Sequence, residues 1–171
     1  MKIREATISD ATGIGKVHVD AWITTYKGIV PDEYLDRLTY EKRTRLWESN
    51  ISKEDQYICV AETNDNEIVG FASGGKRVTN HLDHSGDLTS IYILKEYQGQ
   101  GIGKGLMKQM FTKFTELGYK TIFVEVLESN ESRFFYEGFN AKFYEKTTIT
   151  IQDKELDLLI YQWKDIDKLL S

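Results

Sequence analysis

Residues 88–107, LTSIYILKEYQGQGIGKGLM, place a phosphate-binding arrangement between a strand and a helix. Leu88 to Leu94 is β-branched and apolar, as a buried strand is. Gln98-Gly99-Gln100-Gly101-Ile102-Gly103 follows, with alternating glycines that allow a tight turn and bare backbone N–H groups. The helix that starts inside this run carries an apolar stripe of Ile102, Leu106, Met110 and Phe114, widened by Met107, Phe111 and Leu117. A helix start has unpaired N–H groups and a positive dipole end, which suit a phosphate or pyrophosphate. Such a turn can also serve only to let a helix pack close to a strand. Three glycines followed by Lys104 favour phosphate.

Two phosphate motifs are excluded by spacing. A P-loop needs GxxxxGK[ST]; here Gln98 stands at the first glycine position and Gly105 where Ser or Thr belongs. A dinucleotide fingerprint needs GxGxxG, but counting from Gly99 or Gly101 puts Lys104 or Leu106 at the third glycine. The remaining pattern, Q-x-x-G-x-G behind a strand, resembles the coenzyme A pyrophosphate loop of the GNAT superfamily of N-acetyltransferases.

The elements around this segment follow from periodicity and turn chemistry. Residues 2–7 read as a strand, and Ser9 or Asp10 caps a helix with the stripe Ala11, Ile14, Val17 or His18, Ala21 and Trp22. Pro31 to Leu38 and Tyr40 to Glu48 give a second helical region. Tyr57 to Glu62 and Glu67 to Gly74 are strands joined by a turn at Asn64-Asp65-Asn66. Gly118 ends the long helix, Thr121 to Leu127 is a further strand, and a short helix covers Glu131 to Tyr136. Lys142 to Ile151 and Glu155 to Trp163 form a last hairpin about Gln152-Asp153-Lys154. The result is a mixed α/β chain with no internal repeat, low-complexity tract or linker.

That order is also the GNAT order, and two further segments agree with it. Asn130 to Phe139, NESRFFYEGF, is similar to the family's second coenzyme motif, an Asn, a short apolar helix and then Y-x-x-G-F. Tyr136 and Gly138-Phe139 stand one residue closer than in that motif, which implies a tightened helix end, and Arg133 replaces the usual Ala. Ala21 to Asp36, AWITTYKGIVPDEYLD, resembles a segment of one bacterial branch, with Trp22 and Tyr26 four apart on one helical face. The resemblance implies a single domain over residues 1–171: a mixed, mostly antiparallel sheet with splayed central strands, flanked by helices. It implies acetyl-CoA as acyl donor and an amine as acceptor.

Aminolysis of a thioester needs a neutral amine, a polarised carbonyl and a proton for the leaving thiolate. An amine of pKa ~10.4 is almost wholly charged at neutral pH, so a base or proton wire helps. By the resemblance, Ile91, Tyr92 and Ile93 supply the carbonyl's N–H donor and the pantetheine contacts. Gln98, Gly99, Gln100, Gly101, Ile102, Gly103 and Lys104 hold the pyrophosphate, and Asn130 bonds the pantetheine arm. Tyr136 matches the general acid, since a phenol of pKa ~10 is protonated at pH 7; the alternative is an aromatic packed under the sheet. Asp87 stands where some members carry a base, whereas others use water chains. Glu125 is a second carboxylate whose alternative is a solvent-facing strand position. Trp22 and Tyr26 are core residues or line the acceptor cleft, which that segment borders in the family.

Composition sets the bounds. The 171 residues are 40% hydrophobic and 29% charged, the profile of a globular protein. A net charge of −5 argues against a nucleic-acid binder. Met1 to Glu5 opens no apolar signal region, and no apolar run approaches the ~20 residues of a membrane span. Cys59 is the single cysteine, so a cytoplasmic home is expected, with Cys59 a buried structural thiol. His81-Leu82-Asp83-His84 has metal-ligand residue types but lies in a loop, so no metal is expected, and His18 reads as a core-edge histidine. A homodimer is left open. The leading reading is an N-acetyltransferase that uses direct amine attack on acetyl-CoA. The alternatives are a non-catalytic acyl-CoA-binding or regulatory module on the same fold and a nucleotide-phosphate-binding enzyme, the latter lacking its motifs.

Overall fold

The computed structural model describes residues 1–79 and 82–170. Seven strands form one sheet in the order β1-β2-β3-β4-β5-β7-β6. In chain order these are β1 (Lys2–Glu5), β2 (Gln56–Glu62), β3 (Ile68–Lys76), β4 (Ser85–Ile93), β5 (Thr121–Leu127), β6 (Lys142–Ile151) and β7 (Lys154–Lys164). Every pairing is antiparallel except β4 with β5. The helices are α1 (Ala11–Tyr26), α2 (Asp32–Asp36), α3 (Tyr40–Ile51), α4 (Ile102–Glu116) and α5 (Ser132–Gly138). The parallel pair needs a crossover, and α4 supplies it.

Strand alternation assigns the two faces. Gly70 and Gly74 of β3 lie beneath Ile102 and Phe114 of α4, whereas Phe71 between them meets Trp47 of α3 and His18 of α1. Phe111 of α4 and Tyr136 of α5 both pack edge-on against Trp163 of β7, which puts α4 and α5 on the same face. Ile14, Val17, Phe71, Leu106, Met110, Phe114 and Ile122 are fully buried between these layers. Leu117 falls outside this core, half exposed past the end of α4, so the stripe read from sequence is one residue too long.

Several boundaries move for identifiable reasons. β1 stops at Glu5 because Thr7 opens a 3-10 turn, Ile8–Asp10, and donates its backbone N–H to Asp10 Oδ2 at 2.7 Å. Asp10 also takes two hydrogen bonds from Arg4, at 2.8 and 2.9 Å, so it closes this turn and makes no cap bond to α1. β4 begins at Ser85, earlier than its apolar run, because Ser85 to Leu88 pair with Thr121 to Val124 of β5. The end of α5 is tightened as expected: Phe139 donates its N–H to the Tyr136 carbonyl at 3.0 Å and Asn140 to the Glu137 carbonyl at 2.9 Å, each three residues back, and Asn140 makes the left-handed turn at φ 67°. Asn tolerates that conformation better than most side chains do. Gly118 at φ 83° ends α4 as expected. Among the described residues no helix is long and apolar enough to cross a membrane.

Candidate active site

β4 and β5 are paired only from Ser85↔Thr121 to Leu88↔Val124. Beyond that point β4 continues against β3 and β5 against β7, so the facing edges of the two strands part. A bulge marks the same place: Thr89 has no partner on β3, and its hydroxyl meets Ser73 Oγ at 2.8 Å and the Ser73 carbonyl at 3.1 Å. Bulges bend a strand and re-aim its side chains. Past the bulge, β4 borders a cavity of about 340 Å³.

Ile91, Tyr92, Ile93, Gln98, Gly99, Gly101, Gly103 and Lys104 line that cavity, joined by Thr25, Ser132 and Phe135. Gln98 donates its amide to the Ile93 carbonyl at 3.1 Å, tying the loop to the end of β4. Gly101 is the residue before α4 and has φ 83°, a left-handed conformation that disfavours a side chain; the space where a Cβ would stand is open. Gly103 differs. Inside the helix, its Cβ would meet the Phe135 ring at 3.1 Å, so its smallness lets α5 close over α4. The first N–H groups of α4 have no intrahelical acceptors and are available to an anion. The Gln100 amide turns back to the Glu96 carbonyl at 3.2 Å and the Ile102 side chain is buried in the core, so these two residues border the turn through backbone alone. A second, more polar cavity of about 500 Å³ shares Thr25, Gln98 and Ser132 with the first and adds Asn130, Thr24, Ile29 and Lys95.

Three phenols gather at the splay: Tyr92 lines the first cavity, and the buried Tyr26 and Tyr136 lie behind the lining of both. Tyr136 is buried, its phenol pushed up by burial and by the nearby Tyr26. Tyr26 and Tyr92 share a hydrogen bond at 3.3 Å, and Asn130 donates to Tyr26 Oη at 3.4 Å. Burial raises both of those phenols as well. All three therefore stay protonated at neutral pH and are hydrogen-bond donors. Trp22 packs on Tyr26 with ring centroids 4.3 Å apart and also faces Tyr34 and Tyr92. His18 stacks on Tyr92 and accepts from Trp47 Nε1 at 2.9 Å; burial holds it down at about 4. It is more deeply set than a core-edge residue.

Asp87 lies on the α1 side of the sheet, paired in register with Phe123, and its carboxylate is bonded by Arg77. Arg77 is buried, with its guanidinium 4.1 Å from the centroid of the Phe123 ring. Burial nonetheless raises the Asp87 carboxyl above the usual carboxylate range. Glu125 shares the face of Phe123 and is exposed. Thr25 of α1 and Ser132 and Phe135 of α5 lie inside the two segments that carry the resemblance but are not singled out there, and nothing in the spacing of the sequence signals Arg77. Cys59 is buried, its thiol pushed up to about 12. His84 and Asp83 sit beside a surface cavity at the start of β4, and His81 lies outside the described residues.

Residues 19–146 match the model of the acetyltransferase (GNAT) family. An uncharacterized N-acetyltransferase of Bacillus subtilis (strain 168), YuaI, is 33% identical over 167 residues, 98% of this chain and 95% of that protein. A ribosomal protein bS18-alanine N-acetyltransferase of Haemophilus influenzae is 36% identical over 88 residues, covering 50% of this chain and 57% of that one. Among solved structures, the PaiA N-acetyltransferase of Thermoplasma acidophilum in complex with coenzyme A superposes with a TM-score of 0.76 at 22% identity, over 95% of this chain and 98% of that one.

Proposed function

The chain belongs to the acetyltransferase (GNAT) family, and we propose that it transfers an acetyl group from acetyl-CoA to a primary amine by direct attack on the thioester, in the groove between β4 and β5. The observation that carries this reading is the continuous groove from the α4 N-terminus past the unpaired edge of β4. It suits an extended donor with a pyrophosphate at one end. Acetyl-CoA supplies an activated acyl group whose transfer requires only proton movement and charge stabilisation.

Each residue then has a task. The backbone of residues 99–104 receives the pyrophosphate with the N–H groups of the α4 start. Ile91, Tyr92 and Ile93 offer β-ladder hydrogen bonds to the pantetheine arm, and a β4 N–H polarises the thioester carbonyl. Tyr136 gives its proton to the departing sulfur. A thiolate in that donor-lined pocket is stabilised by hydrogen bonding even where the phenol's raised pKa resists full transfer. Asp87 takes the proton from the attacking amine, a task favoured by the upward shift that burial gives its carboxyl. Trp22 and Tyr26 border the acceptor side.

The test is thiol release from acetyl-CoA against a panel of polyamines, amino acids, aminoglycosides and a peptide with N-terminal alanine, the residue named for the Haemophilus relative. Acceptor-dependent release with at least one amine is expected. A chain that binds acetyl-CoA yet acetylates no amine in a broad panel would point to the non-catalytic reading.

A further inference from the structure

Past Leu88 and Val124, no ladder hydrogen bonds join β4 to β5 among the described residues. From the α1 side, one phenol spans the gap. Tyr26 Oη is 3.3 Å from Tyr92 Oη on β4, and it accepts a hydrogen bond from Asn130 Nδ2, 3.4 Å away, in the turn that follows β5. We propose that Tyr26 is a positioning residue: its hydroxyl, held at Tyr92, clasps Asn130 and fixes the direction in which that residue presents its remaining amide hydrogen to the pantetheine arm. The inference rests on reading the groove as the coenzyme A site.

Counting donors supports the assignment. A carboxamide has one acceptor oxygen and two N–H donors. Asn130 Oδ1 accepts from the Ser132 backbone N–H at 2.9 Å, and one Nδ2 hydrogen goes to Tyr26. Those two bonds fix the amide plane and leave one hydrogen whose direction is set. Remove the Tyr26 hydroxyl and only the Ser132 bond holds the amide, which is free to turn about its terminal torsion. The ring of Tyr26 is anchored independently: it packs on Trp22 and belongs to an apolar cluster with Val30, Leu35 and Leu127. Tyr26→Phe therefore keeps the packing and deletes only the clasp.

The experiment is a double-mutant cycle on the dissociation constant of coenzyme A, measured by calorimetry on the full chain. Asn130→Ala and Tyr26→Phe should each weaken binding by roughly two- to tenfold, the scale of one hydrogen bond. The double variant should bind no more weakly than Asn130→Ala alone, because Tyr26 acts through Asn130. Multiplying effects, or an unchanged affinity in Tyr26→Phe while Asn130→Ala is weakened, would overturn the clasp and leave the coenzyme site standing. A wild-type chain that binds no coenzyme A would overturn the site and the clasp together. Should Tyr26→Phe fail to fold, the Asn130 side-chain amide in the wild-type protein decides by NMR: two resolved, exchange-protected signals are expected, and averaged, rapidly exchanging ones contradict the proposal.

Discussion

On the α4 side of the splay the boundary is backbone: two glycines in the left-handed region, Gly99 at 74° and Gly101 at 83°, with open space beside both, and the bare start of a helix. On the α1 side it is side chains: Tyr26, Tyr92 and Asn130 in one hydrogen-bonded group, Trp22 against Tyr26, and His18 stacked on Tyr92 at 5.7 Å with planes 12° apart. The pyrophosphate needs only N–H groups and room, which any chain with the right turn provides. Holding a thioester and managing protons needs buried groups with shifted pKa values, and those come from elements far apart in sequence. On the proposed function, the first wall should tolerate substitution except at its glycines, whereas the second should be sensitive to single atoms.

Substitutions can break that contrast, and the largest expected effect is at Tyr136 of α5, which packs on the α4 face yet lies beside Tyr26. Tyr136→Phe keeps the ring against Trp163 and removes one hydroxyl. Turnover should fall by the ~10²–10⁴-fold typical of losing a positioned acid, while the acetyl-CoA dissociation constant hardly moves. A donor with a more acidic leaving thiol should recover part of the rate. Wild-type turnover in this variant would make Tyr136 a packing residue.

Next in size is the backbone wall. Gly101→Asp puts a side chain and a negative charge into the turn, at a residue type that tolerates left-handed φ better than most. The helix should persist by circular dichroism while the acetyl-CoA dissociation constant rises at least ~10-fold, a change of about 1.4 kcal/mol. Unchanged affinity would move the pyrophosphate elsewhere.

The smallest effect concerns the burial of the aromatic cluster around His18. His18 titrates at about 4 in the folded chain against an ordinary value of 6.5, because burial disfavours its charged form. As pH falls the unfolded chain takes up this proton first, so His18's contribution to stability is complete above 6.5 and is lost progressively as pH drops toward 4. The imidazole signals should titrate near 4 by NMR, and the thermal midpoint of His18→Gln should depend less on pH in that window. An imidazole titrating near its ordinary value would mean that water reaches the aromatic cluster.

The same contrast governs what could be read in the sequence. The loop, α4 and its Gly118 cap were legible because their signals are local: apolar spacing, glycine at turns, a strand before a helix. The first two residues of β4 were not, since Ser85 and Gly86 carry no apolar pattern and pair with Thr121 and Ile122 of β5. The α5 end was legible in part: the short Tyr136-to-Gly138 spacing signals a tight end, yet nothing in the sequence marks Asn140 as the residue that makes the turn. Tyr26, Tyr92 and Asn130 could be named individually from the resemblance, but their union depends on contacts spanning 66 and 104 residues. Arg77, which grips Asp87 from β3's far end, has no sequence signal at all.

The central claim is that the groove between β4 and β5 holds a coenzyme A thioester. Calorimetric titration of the wild-type chain with acetyl-CoA, and separately with ATP, tests it most directly. The account predicts saturable binding of one acetyl-CoA per chain and no comparable binding of ATP, whose triphosphate would lack the pantetheine contacts along Ile91–Ile93. ATP binding as tightly as acetyl-CoA, or no acetyl-CoA binding at all, would contradict it.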